Sequence, residues 1–423
     1  MINFSKLPEV TFPKGFLWGS ATAAQQIEGD NFNNDWYRAE KEGKFRDPCG
    51  KACNSFELYR EDIALLKELG HQAYRFSVEW SRIEPREGEF DAAATEHYVD
   101  QCRRLVEAGI QPWVTLHHFA NPLWFSDLGE WHKRENISHF LRFSDYIVPK
   151  LAPYVAGWTP INEYNLHGGR PPHPDQHLKM ANYKINLLFA DAAVYDLIKQ
   201  HSTAPVGSPL AYVPAEPVRA HDEFDRLMTG MVDWTSNGFY LHAMRTGELV
   251  FPFVDGGFFP EVKGRCDFWA VNIYTRHMVD SRKADAYGKR YLHAKEAMIE
   301  QEFWFDEMSP DAVLGNLLRL TDKPVYITEN GCSCDDDLYR IRYMALHYAA
   351  FRNAIDLGVD LRGVFHWSLM DNWEWGTYAP RLGLVEVDRK TFQRTPKPSA
   401  WIYKQIIANN GFSGEVLFSQ EKC

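Results

Sequence analysis

The chain has 423 residues, is 45% hydrophobic and 14% aromatic, and carries a formal net charge of −11. That charge argues against a nucleic-acid partner, which needs a basic face, and against an anionic membrane surface. No run approaches the roughly 18 consecutive apolar residues of a membrane span. Such a length would ordinarily suggest several domains, but a β/α barrel reaches beyond about 400 residues as one unit when its loops are long.

Candidate strands recur along the chain. Phe16 to Ala23 is apolar and ends in small residues. Ala73 to Trp80 follows, then Gln111 to His118, Gly157 to Glu163 and Val206 to Tyr212. Asp267 to Tyr274, Val325 to Asn330 and Gly363 to Asp371 complete a set of eight. They are near-continuously apolar, as expected of parallel strands covered on both faces. Helical patterns lie between them. Glu61 to Gly70 opens with acids, places Ile63, Leu66 and Leu69 on one face, and stops at a glycine. Arg340 to Gly358 repeats Ile341, Met344, Ala345, Tyr348 and Ile355 at helical spacing. His201 to Gly264 and Asp280 to Gln301 read as long loops or short helices. Alternating strand and helix implies a parallel sheet, and eight rounds imply closure into one (β/α)8 TIM barrel over residues 1–423.

No Ser/Gly or Pro-rich tract divides the chain, and Met1 to Glu9 lacks the pattern of a secretory signal. The cysteines number seven, an odd and scattered set that fits thiols in a reducing cytoplasm. Cys49-x3-Cys53 and Cys332-Ser333-Cys334 lack the spacing of a structural zinc site, and no metal is expected.

A barrel carries its reacting groups at the carboxyl ends of its strands. Here Gln26 follows the first strand, Arg75 lies within the second, and His117-His118 ends the third. Neighbours on a strand point oppositely, so only one histidine faces the site, and His118 is favoured. Asn162-Glu163 ends the fourth strand, Asn272-Ile273-Tyr274 the sixth, Glu329-Asn330 the seventh. Trp367, Glu374 and Trp375 belong to the eighth. Two carboxylates from different strands facing one cavity are suited to cleaving a glycosidic bond. The 14 Trp and 20 Tyr suit the apolar faces of a pyranose.

Several segments together resemble glycoside hydrolase family 1, the β-glucosidase family. They are Phe16 to Ala24 with Gln26-Ile27-Glu28-Gly29, Tyr74 to Ile83, Asn162-Glu163, Ile327-Thr328-Glu329-Asn330-Gly331, and Trp367 to Trp375. The resemblance implies a retaining exo-β-glycosidase acting on small β-glycosides or oligosaccharides. Glu329 would be the nucleophile and Glu163 the acid/base. Gln26, His118, Asn162, Glu374 and Trp375 would bind hydroxyls of the terminal sugar, with Trp367 as its floor. Arg75, Asn272 and Tyr274 would hold Glu329, and Trp304 would lie on the leaving-group side. No cofactor is implied. Gln25, Phe119, Tyr164 and Ile273 depart from the family's usual residues, which leaves the sugar open among glucose, galactose, fucose and a glucuronide. Glu374, read as an anion, disfavours a 6-phosphorylated sugar. Glu329 is expected to have a low pKa and Glu163 a high one. A transglycosylase using the same intermediate is the alternative. A non-catalytic sugar-binding relative would be expected to lack one of the glutamates, and both are present.

Overall fold

Eight parallel strands follow one another around a ring. They are β1 (Leu17–Ala21), β2 (Ala73–Ser77), β3 (Gln111–Thr115), β4 (Gly157–Trp158), β5 (Pro209–Ala211), β6 (Trp269–Asn272), β7 (Val325–Asn330) and β8 (Leu361–Trp367). The computed structural model describes residues 9–166, 177–250, 256–283, 291–292, 298–300 and 305–414. Spatial order is β4-β3-β2-β1-β8-β7-β6-β5, every pairing parallel. The ends of that series also meet. Trp158 of β4 bridges in parallel to Val206, just ahead of β5. Trp158 N donates to the Pro205 carbonyl at 2.9 Å, and Gly207 N to the Trp158 carbonyl at 3.0 Å. This is the (β/α)8 barrel expected from the alternation.

The sheet has two apolar shells. Outward residues such as Trp18, Tyr74, Val114, Val271 and Val364 join one large cluster beneath the helices. Inward residues Leu17, Ala73, Trp113, Phe268, Ala270 and Phe365 form a second cluster inside the ring. Trp113 occupies its middle, with ring centroids 5.5 Å from Phe268, 4.8 Å from Tyr326 and 5.1 Å from Phe365. The interior is thus a packed core rather than a pore.

The helix expected from Glu61 to Gly70 runs over Ser55–Glu68, and Gly70 follows it at φ +74°, a left-handed backbone that suits glycine at a helix end. The second expected helix is Asp337–Asp356, capped by the Asp336 side chain accepting from Leu338 N. Strand ends differ more. The fourth strand is expected to Glu163; its regular ladder ends at Trp158, and beyond Pro160, which has no N–H to donate, the pairing continues as a single parallel bridge between Ile161 and His117. Between His201 and Gly264 the structure has helices Glu223–Asp233 and Phe239–Thr246 joined by a π turn at Trp234–Gly238. A two-stranded hairpin follows.

One irregularity places a site residue. Val325 and Ile327 of β7 face the outer cluster and Tyr326 the inner one. Regular alternation would send Glu329 outward with Val325 and Ile327. The register against both neighbours shifts after Ile327, pairing Asn272 with Glu329 and His366 with Asn330. A bulge of this kind re-aims a side chain, and both Thr328 and Glu329 engage groups of the barrel interior.

Candidate active site

The carboxyl ends of the strands bring Gln26, Arg75, His118, Asn162, Glu163, Asn272, Tyr274, Glu329, Trp367, Glu374 and Trp375 into one hydrogen-bonded and stacked group. Trp304 lies outside the described residues. Glu329 is 4% exposed and held at both oxygens. Arg75 Nη1 donates to Oε1 at 2.6 Å and the Tyr274 hydroxyl to Oε2 at 2.5 Å. Arg75 is itself 1% exposed and donates from Nη2 to Asn162 Oδ1 at 2.6 Å and from Nε to Thr159 Oγ1 at 3.3 Å. A buried guanidinium needs such partners to offset its desolvation.

Asn272 joins the two glutamates' surroundings. Its Nδ2 donates to Glu163 Oε1 at 2.9 Å and to Asn162 Oδ1 at 3.1 Å, while its Oδ1 accepts from Thr328 Oγ1 at 2.7 Å. The expectation that Asn272 holds Glu329 is therefore met only in part. Its bond lowers the Glu329 pKa less than Arg75 and Tyr274 do, and its amide chiefly engages Glu163 and Asn162.

Glu163 sits at φ +46° and is tied by its backbone N–H to the Pro209 carbonyl at 2.8 Å. A left-handed glutamate is strained, of order 1–3 kcal/mol, and persists only where its surroundings enforce it. Trp375 and Phe119 at φ +47° and +68° share the same backbone region. Their rings meet edge to face at 5.0 Å.

His118 and His117 diverge as expected. Asn162 Nδ2 lies 3.1 Å from His118 Nε2, and the His118 ring is near-parallel to those of Trp367 and Trp375. His117 Nε2 instead pairs with Asn121 Oδ1 at 3.0 Å. Glu374 Oε2 accepts from Gln26 Nε2 at 2.8 Å, and the Trp367 indole also hydrogen-bonds this carboxyl. Gln26 Nε2 further donates to Asn372 Oδ1 at 3.0 Å, a contact the sequence reading did not nominate although Asn372 lies inside the quoted motif. Gln26 Oε1 is buried without a hydrogen-bond partner among the described residues, as an acceptor awaiting a hydroxyl would be.

Electrostatics correct two expectations. Burial, then the neighbouring Glu329, push the Glu163 carboxyl up to about 8. Glu329 is not low: burial raises it above the ordinary carboxylate value, although Arg75 and Tyr274 oppose the rise. The two still differ in kind. Glu329 has a cation at 2.6 Å, whereas the closest donor to Glu163 is a neutral amide. Glu374 is pushed up to about 8 by burial and then by Glu329, which runs against the expectation of a plain anion there.

The departures in sequence are absorbed by packing. Tyr164 is fully buried, edge to face with Tyr240 at 5.1 Å, its hydroxyl 3.1 Å from Met244 Sδ. Gln25 Oε1 accepts from Asn31 at 2.9 Å and Asn34 at 2.6 Å. Gly331, directly after the Glu329-Asn330 pair, has no alternative: a Cβ there would lie 1.9 Å from the Trp367 carbonyl oxygen.

The family model for "Glycosyl hydrolase family 1" matches residues 9–412. The chain belongs to that family. Beta-glucosidase A of Thermotoga maritima is 30% identical over 95% of this chain and 98% of its own length. Beta-glucosidase A of Acetivibrio thermocellus is 30% identical over 96% of this chain and 100% of its own. The solved beta-glycosidase from Pyrococcus horikoshii superposes with a TM-score of 0.87 at 34% identity, covering 97% of this chain and 98% of that one. This family 1 protein is thus an enzyme, a β-glucosidase-like O-glycosyl hydrolase. Among its described residues no helix is long and apolar enough to cross a membrane. Nor does any group of three or more His, Cys, Asp and Glu among them have an arrangement suited to a metal ion.

Proposed function

We propose that this enzyme is a retaining exo-β-glycosidase that removes a neutral terminal sugar by double displacement. Glu329 is its nucleophile and Glu163 its acid/base. The observation that carries the reading is the unequal environment of the paired carboxyls: Glu329 is ion-paired to Arg75 at 2.6 Å, whereas among the described residues the side chain of Glu163 is hydrogen-bonded to a neutral amide at 2.9 Å. When one proton is shared between them, the cation keeps Glu329 ionised and the proton resides on Glu163. Asn272 already donates to Glu163 Oε1, so that proton belongs on Oε2. Glu329 attacks the anomeric carbon while Glu163 protonates the leaving oxygen. Glu163, now ionised, activates the water that hydrolyses the ester.

Gln26, His118, Asn162, Glu374 and Trp375 bind the sugar hydroxyls over Trp367. Arg75, Tyr274 and Asn272 position the two carboxyls. A phosphorylated or uronic sugar would bring a further anion beside the ionised Glu329, whose nearby cation, Arg75, is already bonded to Glu329 and Asn162. A neutral hexose or deoxyhexose meets no such repulsion. Buried thiols support a cytoplasmic setting.

Anomeric retention is the direct test. Proton NMR of the earliest product from an aryl β-glycoside should show the β-anomer first; initial release of the α-anomer removes Glu329 from the nucleophile role.

The hydroxyl-reading role has its own expected result. Glu374→Ala should raise the barrier by about 2–4 kcal/mol for the preferred sugar, the scale of a charged or buried hydrogen bond lost together with its partner's satisfaction. A matched glycoside lacking the contacted hydroxyl should lose much less. Equal loss on both substrates makes Glu374 a structural carboxyl.

A further inference from the structure

Immediately beyond β7 the chain carries Cys332 and Cys334, whose sulfurs lie 3.7 Å apart. They are 0% and 1% exposed. A disulfide has its sulfurs about 2 Å apart, so bonding these two requires a short approach of groups already in contact. Both backbones are pinned by one cation. Arg340, also 1% exposed, donates from Nη1 to the Cys332 carbonyl at 2.8 Å and from Nη2 to the Cys334 carbonyl at 2.9 Å.

Burial ordinarily makes a thiol inert, and here it pushes Cys53 up to about 11 and Cys266 up to about 12. Cys334 goes the other way. The hydrogen bond shared with Cys332, aided by the charges of Arg340 and Lys397, holds it below the ordinary thiol value against the pull of burial. Thiolate character of this kind distinguishes reactive cysteines from structural ones.

The pair is wired to the catalytic carboxyl. Cys332 and Cys334 pack with Tyr343 in one small apolar cluster. The Tyr343 hydroxyl donates to the Tyr274 carbonyl at 2.5 Å and accepts from Asn330 Nδ2 at 3.2 Å. Tyr274 in turn donates its hydroxyl to Glu329.

We propose that Cys332 and Cys334 are an oxidation site, converted by a peroxide to an intramolecular disulfide that lowers turnover by displacing Tyr343 and, through it, Tyr274. The Cys334 thiolate attacks one peroxide oxygen; the O–O bond breaks, a sulfenic acid forms, and the departing hydroxide takes a proton to become water. The Cys332 sulfur then displaces the sulfenic oxygen, the S–S bond forms, and a second water leaves. Two electrons pass from the sulfurs to the peroxide, and a dithiol reductant returns them.

The test uses the full-length protein exposed to hydrogen peroxide and then to dithiothreitol. Peptide mass spectrometry without reduction should show the Cys332–Cys334 peptide lighter by two hydrogens, and dithiothreitol should reverse this. Turnover of an aryl β-glycoside, the arm that rests on the proposed function, should fall about tenfold, as expected for a misplacement well under 1 Å, and recover with reductant. Cys334→Ser should keep its activity through the same treatment, with Cys332→Ala as the second variant if the first does not fold. Absence of the disulfide in the folded protein overturns the site, whatever the activity. A disulfide that leaves turnover unchanged, or equal peroxide sensitivity in the variants, overturns the link to Glu329.

Discussion

Glu329→Ala is expected to abolish hydrolysis of every glycoside, good leaving group or poor, with kcat down on the order of 10⁵-fold or more, the scale seen when a covalent nucleophile is removed. No ester can form without it, and the geometry offers no substitute: Glu163 is tied to Asn272 and Glu374 to Gln26. Deleting the carboxylate also strands Arg75, which is 1% exposed and donates to it at 2.6 Å. Loss of one partner of a buried ion pair typically costs about 3–5 kcal/mol of stability. Glu329→Gln therefore belongs beside it, because the amide oxygen still accepts from Arg75 or Tyr274. That variant should be nearly as inactive while unfolding at a temperature closer to the parent's. Activity within about tenfold of the parent in a folded Glu329→Gln protein, a barrier change of only about 1.4 kcal/mol, would sink the assignment.

Glu163→Ala should behave differently from substrate to substrate. General acid catalysis contributes about 10²–10⁴-fold, and that is the loss expected for a poor leaving group. Activated aryl glycosides need little protonation in the first step and should lose less. Azide, entering where the deprotonated Glu163 would have activated water, should restore turnover and yield a β-glycosyl azide. The pH profile gives an independent readout. Glu163 must be protonated to act as acid, and burial with Glu329 nearby raises its pKa to about 8. For the parent, kcat/KM on a poor leaving group should be supported below that value and fall as pH rises through it. In Glu163→Ala the fall at high pH should disappear. A variant that loses activity equally on all leaving groups, gains nothing from azide and keeps the alkaline limb would show that the proton comes from elsewhere.

Much of this arrangement is legible before any coordinates. The alternation of apolar strand and helix specifies the barrel because both follow from local periodicity. The polar residues at the strand ends mark the site because buried polar groups need partners. What escapes is whatever depends on register or on joint burial. The bulge after Ile327 leaves no local signature in Tyr326-Ile327-Thr328-Glu329, yet it decides that Glu329 faces inward. Burial raises the pKa of Glu329, and burial followed by the charge of Glu329 raises that of Glu374; both depend on how the strands close together, which no single motif encodes. Helix Glu223–Asp233 lies in the stretch read as long loops or short helices; what the sequence does not tell is that Phe224, Leu227 and Met231 are 73%, 64% and 55% exposed, so its apolar stripe does not mark a buried face.

The closing bridge between Trp158 and Val206 has a consequence for following how the molecule assembles. Gln26, Arg75, His118, Asn162 and Glu163 all precede Val206 in sequence, on the β1–β4 side of the seam, and Asn272, Tyr274, Glu329 and Glu374 all follow it. Arg75 comes from one half and Glu329, its ion-pair partner, from the other. Neither half alone contains a working set of groups. Regain of hydrolysis during refolding therefore reports that both half-rings are in place together, which far-ultraviolet dichroism, a measure of strand and helix content, does not isolate.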